Sequence, residues 1–108
     1  MIKKTKTIPI YGGKWIIGFY SKDEIKKVSD MYNLRQLSEY TAVCFEEKEK
    51  YYTLFQIDKI TPGIIAHEAK HLVNAIYINH NIELDRHNDE PEAYLLTWLV
   101  NRIHENLK

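Results

Sequence analysis

The chain has 108 residues, of which 44% are hydrophobic and 28% charged, and its 15 basic and 15 acidic residues cancel. This composition predicts one soluble globular domain over residues 1–108. The absence of net charge argues against binding to nucleic acid or to an anionic membrane. One cysteine, Cys44, excludes an internal disulfide, and no apolar run approaches the ~18 residues of a membrane span. These features favour a cytoplasmic location.

Four stretches rich in β-branched and aromatic residues predict strands, at residues 6–11, 14–20, 40–45 and 51–57. Gly12-Gly13 is a turn signal that makes the first two strands a hairpin. A charged turn over residues 46–50 joins the other two strands. Cys44 lies in an apolar strand pattern, which indicates a buried structural thiol rather than a nucleophile.

Three helices are predicted, at residues 22–32, 62–79 and 90–107. Ser21 and Glu24 form a capping-box pattern before the first helix. Thr61 fits the N-cap of the second helix, and Pro62 fits its first position, where a missing N–H costs nothing. The order of elements predicts an α+β domain, in which a small, mostly antiparallel sheet packs against two or three helices.

The most informative stretch is His67-Glu68-Ala69-Lys70-His71, an H-E-x-x-H pattern inside the second predicted helix. Histidines at positions i and i+4 of a helix point the same way, so both imidazoles can bind one Zn²⁺. Glu68 can then face a water on the open position of the metal and act as general base. The alternative is an exposed polar helix face on which the two histidines lie one turn apart by chance.

A catalytic zinc usually has three protein ligands, and the candidates for the third lie in Asn88-Asp89-Glu90-Pro91-Glu92. Glu90 and Glu92 both stand at the start of the last predicted helix, where acidic residues also complement the helix dipole. His87, in the preceding loop, is a substitute candidate. Asn74 can orient a ligand or be an ordinary surface residue. Tyr94 can donate a hydrogen bond to an oxyanion or simply pack its ring.

Two segments carry a family resemblance: residues 64–72, Ile-Ile-Ala-His-Glu-Ala-Lys-His-Leu, and residues 89–100, Asp-Glu-Pro-Glu-Ala-Tyr-Leu-Leu-Thr-Trp-Leu-Val. Their order and spacing resemble those of the minimal zincin-like proteins of tailed bacteriophages and prophages, which are gluzincin-type metallopeptidase-like proteins. The resemblance covers about a third of the chain. It implies His67, His71 and Glu90 as zinc ligands, with Glu90 ahead of Glu92, and a phage or prophage setting in the host cytoplasm.

These observations together predict a zinc-dependent metallopeptidase-like protein that hydrolyses a peptide or other amide bond, with Glu68 moving the proton. The family resemblance further implies that a peptide or protein substrate pairs with a strand edge near the motif helix. Residues 40–45 or 51–57 are the candidates for this edge. One alternative is a non-catalytic zinc-binding protein that acts in phage assembly or on a host partner. Another is a metal-free interaction module.

Overall fold

The structure is a computed structural model that describes residues 1–107, and its centre is a four-stranded sheet. The strands are β1 (Ile2–Thr7), β2 (Lys14–Tyr20), β3 (Ala42–Glu47) and β4 (Lys50–Gln56). They lie in the order β1-β2-β4-β3; the central pair, β2 and β4, is parallel, and the two outer pairs are antiparallel. Strands β1 and β3 are therefore the edges of the sheet, and β4 is interior.

Three helices cover the two faces of this sheet: α1 (Ile25–Tyr32), α2 (Pro62–Asn79) and α3 (Glu90–Glu105). Helix α1 follows a short 3₁₀ turn and packs on one face through Val28, beside Tyr20 and Leu54 of the sheet. Helices α2 and α3 pack together on the other face. The predicted α+β class, a small mostly antiparallel sheet against two or three helices, is confirmed.

The larger hydrophobic core lies between the sheet and the pair of helices α2 and α3. It contains Trp15 and Phe55 from the sheet, Leu72 from α2 and Leu99 from α3, all fully buried. The indole N–H of Trp15 donates to Thr53 Oγ1 at 3.0 Å, so the only polar atom of the ring is satisfied. No helix within residues 1–107 is both long and apolar enough to cross a membrane.

Two predicted strands are displaced along the chain. The first was expected at residues 6–11 but spans Ile2–Thr7, because Pro9 has no N–H to donate to a ladder. Residues 8–13 instead form a closed loop, in which the Ile8 N–H donates to the Gly13 carbonyl at 3.0 Å. The third strand was expected at residues 40–45 but begins at Ala42, and the turn after it is only Lys48-Glu49.

Helix α2 has the predicted bounds and is fixed at both ends. Thr61 Oγ1 accepts a hydrogen bond from the Ile64 N–H at 3.2 Å, as an N-cap should. After the last turn, the two ring nitrogens of His80 lie 2.8 Å and 2.7 Å from the carbonyl oxygens of Ile76 and Tyr11. His80 therefore joins the end of α2 to the β1–β2 loop. These contacts hold the H-E-x-x-H segment in the middle of a continuous helix.

The turn between β3 and β4 offers a test of the left-handed backbone conformation of its two residues. Lys48 and Glu49 both have positive φ, 51° and 63°, a conformation that costs a side-chain-bearing residue about 1–2 kcal/mol. Glu49→Gly should relieve part of that cost and raise the free energy of unfolding by about 0.5–1 kcal/mol in urea denaturation. The matched control is Glu47→Gly in β3, which should destabilise because glycine weakens a strand. A loss of stability in both variants would contradict the left-handed turn.

Candidate metal centre

His67 and His71 present their ring nitrogens to one point on the surface of α2. The two Nε2 atoms lie 3.1 Å apart and both side chains are exposed. Two nitrogen ligands on one tetrahedral zinc ion would be separated by about 3.3 Å, given Zn–N distances near 2.0–2.1 Å. The histidine pair therefore already has the spacing that shared coordination of one metal ion requires.

Glu68 lies beside the histidines but points toward the sheet. Its side chain is largely buried, and its Oε2 lies 3.9 Å from His67 Nε2. Burial raises the pKa of the Glu68 carboxyl above its usual value, while His67 and His71 act in the opposite direction and lower it. A partly desolvated carboxyl group beside two imidazoles is suited to accept and release a proton.

A groove of about 550 Å³ separates the edge strand β3 from helix α2 and contains the motif. Apart from Tyr40, its lining residues come from two elements. Strand β3 contributes residues 42–46, and α2 contributes His67, Glu68, His71, Asn74, Ala75 and Ile78. Glu46 is held at the far end, where its carboxylate accepts a hydrogen bond from Asn79 Nδ2 at 2.8 Å. The histidines and Glu68 therefore lie along an open channel beside a strand edge.

The outer edge of β3 has hydrogen-bonding groups that no strand of the sheet uses. The Gln56 N–H donates to the Thr41 carbonyl at 2.9 Å, which makes these two residues a hydrogen-bonded antiparallel pair. Hydrogen-bonded and non-hydrogen-bonded pairs alternate along such a ladder. In the observed register, Ala42, Cys44 and Glu46 then direct their N–H and C=O groups away from β4. All three of these residues line the groove.

Glu90 lies outside this groove. It lines a second, mainly apolar pocket of about 530 Å³ together with Tyr11, Tyr94 and Trp98, and this pocket shares no lining residue with the histidine groove. Tyr94 is 73% exposed and lines this second pocket, not the groove of the histidines. His87 is exposed in the α2–α3 loop, where its N–H donates to Asp85 Oδ1 at 2.9 Å. The structure does not bring these residues together with His67 and His71.

Glu92 extends from α3 to a residue of α2. Its Oε1 forms an ion pair with Lys70 Nζ, and Lys70 Nζ also donates to Asn74 Oδ1 at 3.1 Å. Asn74 lines the groove with both histidines. Two hydrogen bonds therefore connect the Glu92 carboxylate to the wall of the candidate site.

The residues at this site supply part of the ligand set of a zinc ion. Within residues 1–107, no group of three or more His, Cys, Asp or Glu side chains is arranged to hold a metal ion. The histidine pair has the required spacing, whereas the third ligand requires a carboxylate to move from its present partner. The assignment of Glu90 or Glu92 as that ligand therefore stays a prediction.

Searches of protein-family models, of curated proteins and of solved structures find no match to the chain. The interpretation of the site accordingly rests on its own side chains.

Sequence reasoning missed two members of the site, Lys70 and Glu46. Lys70 occupies a variable position of the motif, and its spacing of four from Asn74 is an ordinary helix-surface contact. Only the packing of α3 against α2 shows that its ammonium group meets Glu92. Glu46 was placed in a turn, but β3 continues through it and directs it along the groove.

The thiol of Cys44 provides a test of the environment inside the groove. Burial, followed by the negative charges of Glu68 and Glu46, raises the pKa of Cys44 to about 12. At pH 8 the thiolate that reacts with iodoacetamide should then be on the order of 10³ times scarcer than for an unperturbed thiol. Alkylation of the native protein, followed by mass spectrometry, should be slower by about that factor than alkylation in urea. Equal rates would show that Cys44 is neither buried nor close to these carboxylates.

Proposed function

We propose that the chain is a zinc-dependent hydrolase of the metallopeptidase type, acting on a peptide or protein substrate. The observation that carries the proposal is the convergence of His67 and His71, with Nε2 atoms 3.1 Å apart, beside the largely buried carboxyl group of Glu68. Two metal-binding nitrogens and a proton acceptor on one turn of helix are the minimum set for hydrolysis by an activated water.

His67 and His71 would hold the ion, with a carboxylate of α3 as third ligand. Family resemblance favours Glu90 for this role, and the contacts of the structure support Glu92. Glu92 reaches Lys70 and, through it, Asn74 at the groove, whereas Glu90 lines the second pocket. Zinc bound there would lower the pKa of a coordinated water and polarise a substrate carbonyl.

Glu68 supplies the proton chemistry in this proposal. Its carboxylate accepts a proton from the attacking water and returns it to the amine that leaves the cleaved amide bond. Its position one residue after His67 would place it next to a bound metal without making it a ligand. Burial against the sheet holds the side chain in a fixed orientation, so less conformational entropy is lost when the reacting groups are aligned.

The substrate is an extended peptide laid along β3. Ala42, Cys44 and Glu46 direct free backbone groups toward the groove, and a peptide strand that pairs with them would pass next to Glu68 and the histidines. Strand addition of this kind takes its affinity from main-chain hydrogen bonds. Of the two edges expected from sequence, only β3 is an edge, because β4 lies between β2 and β3.

The resemblance to the minimal zincin-like proteins of tailed bacteriophages and prophages supports the same proposal and adds a setting, the cytoplasm of the infected host. The Lys70–Glu92 ion pair favours a second candidate function, because it leaves the third ligand engaged elsewhere. This candidate is a zinc-binding protein without turnover, which acts in phage assembly or on a host partner through the same groove.

The first test is metal content. Protein purified without chelator should contain about one zinc per chain by elemental analysis, as a three-ligand site would. His67→Ala should lose the metal because one imidazole cannot retain it, while the control His87→Ala, in an exposed loop, should keep it. Glu92→Gln should weaken zinc binding more than Glu90→Gln. Zinc retained in full by His67→Ala would place the metal elsewhere in the chain.

Catalysis is tested by Glu68→Gln. The amide cannot accept the proton of the water, so turnover should fall by about 10²–10⁴-fold while zinc content stays near that of the wild type. The measurement is cleavage of a peptide library, read by mass spectrometry, with metal content determined on the same samples. A zinc-loaded Glu68→Gln variant with wild-type turnover would remove Glu68 from the reaction. A zinc-loaded wild type that cleaves nothing would favour the non-catalytic candidate.

A further inference from the structure

The contacts of Lys70 single it out among the basic residues near the site. It lies within the motif, between Glu68 and His71, and its ammonium group contacts two acceptors at once, Glu92 and Asn74. Its side chain is 41% exposed and that of Glu92 only 19% exposed. The ion pair therefore lies at the partly shielded junction of α2 and α3, beside the histidine groove.

We propose that Lys70 competes with zinc for the Glu92 carboxylate, so that zinc must displace the Lys70 ammonium group from Glu92 to complete the site. This inference rests on the proposed function and deepens it, since it concerns how readily the same site loads. In the structure as it stands, the histidines already have the spacing for coordination, and the carboxylate is bound to an ammonium group instead. The competition is thus between two cations for one anion.

The competition has a direct electrostatic basis. The hydrogen bond from the Lys70 ammonium group to Glu92 must break before that carboxylate oxygen can coordinate a metal. Asn74 supplies a second acceptor, so Lys70 keeps one hydrogen bond when it releases Glu92. A partly exposed ion pair is worth little compared with a zinc–carboxylate bond. Lys70 therefore tunes the zinc affinity downward without closing the site.

If Lys70 and zinc compete for Glu92, the fraction of chains with a complete zinc site depends on the free zinc concentration. At low zinc the Lys70–Glu92 pair bridges α2 to α3 and leaves only two ligands. At higher zinc the third ligand moves, and the same two helices are bridged through the metal. Helices α2 and α3 are therefore bridged in both states, but only the zinc-bound state is active.

The test is zinc affinity measured by competition with a chromogenic chelator. Lys70→Met keeps the length and apolar stem of the side chain and removes its charge, so zinc should bind about fivefold more tightly, the upper range for an exposed ion pair. The control is Lys26→Met, which removes the same charge from an 88% exposed lysine paired with Asp30 on α1, and should leave the affinity unchanged. Unchanged or weaker binding by Lys70→Met would overturn the proposal.

A double-mutant cycle separates competition for Glu92 from simple repulsion of the metal. In a Glu92→Gln background, Lys70→Met should no longer tighten zinc binding, because there is no carboxylate to release. An equal gain in both backgrounds would show that Lys70 acts only as a nearby positive charge, and would overturn the proposal. Lys70→Gln serves as a second variant, and circular dichroism checks that each variant is folded.

The outcomes also distinguish this inference from the proposed function. If the wild type binds zinc and Lys70→Met binds it with the same affinity, the proposed competition is wrong and the proposed zinc site is unaffected. If only Lys70→Met binds zinc, the competition stands and the proposed function of the wild-type chain is wrong. If neither protein binds zinc under either condition, both proposals are wrong.

Discussion

The packing of α2 against the sheet is the constraint on which the rest of the site depends. Leu72, Val73 and Ile76 are fully buried between the sheet and α3, which fixes the rotation of α2 about its axis. With that rotation fixed, residues at i and i+4 on the opposite side must face outward together. His67 and His71 are such a pair, and Glu68, one residue on, turns toward β3. The buried apolar side of α2 therefore determines the direction in which the motif residues point.

The same packing explains why the groove ends at a strand edge. Strand order β1-β2-β4-β3 leaves β3 unpaired on its outer side, directly beside α2. An edge strand ordinarily invites unwanted pairing, and proteins blunt it with charge or cover it. Here Glu46 and Glu47 place charge at one end of β3, while the segment at Ala42 and Cys44 lies beside the histidines. The portion that remains open to pairing is the portion next to the candidate metal centre.

The fold could be predicted well where local signals agree with tertiary packing. Helix α2 is bounded by a Thr61-Pro62 start that needs no partner from elsewhere, and β2 is a continuous apolar run. The first strand was placed too far along the chain, because Pro9 ends the ladder and the segment that pairs with β2, Ile2–Thr7, is mostly lysine and threonine. The parallel contact between β2 and β4 was invisible because it joins segments far apart in the chain, and no turn residue marks it. The histidine pair was predictable because a helix alone fixes it.

The sequence also carries a signal that distinguishes the positions of Glu90 and Glu92 on α3. Residues two apart on a helix differ by about 200° in direction, so Glu90 and Glu92 must lie on opposite sides of α3. The apolar stripe settles which side is which: Leu95 and Leu99 follow Glu92 by helical spacing and are buried. Tyr94 and Thr97 follow Glu90 by the same spacing and are exposed. Helical periodicity therefore turns Glu92 toward α2, where the structure pairs it with Lys70. Periodicity does not identify the partner of Glu92, because the contact with Lys70 depends on how α3 packs against α2.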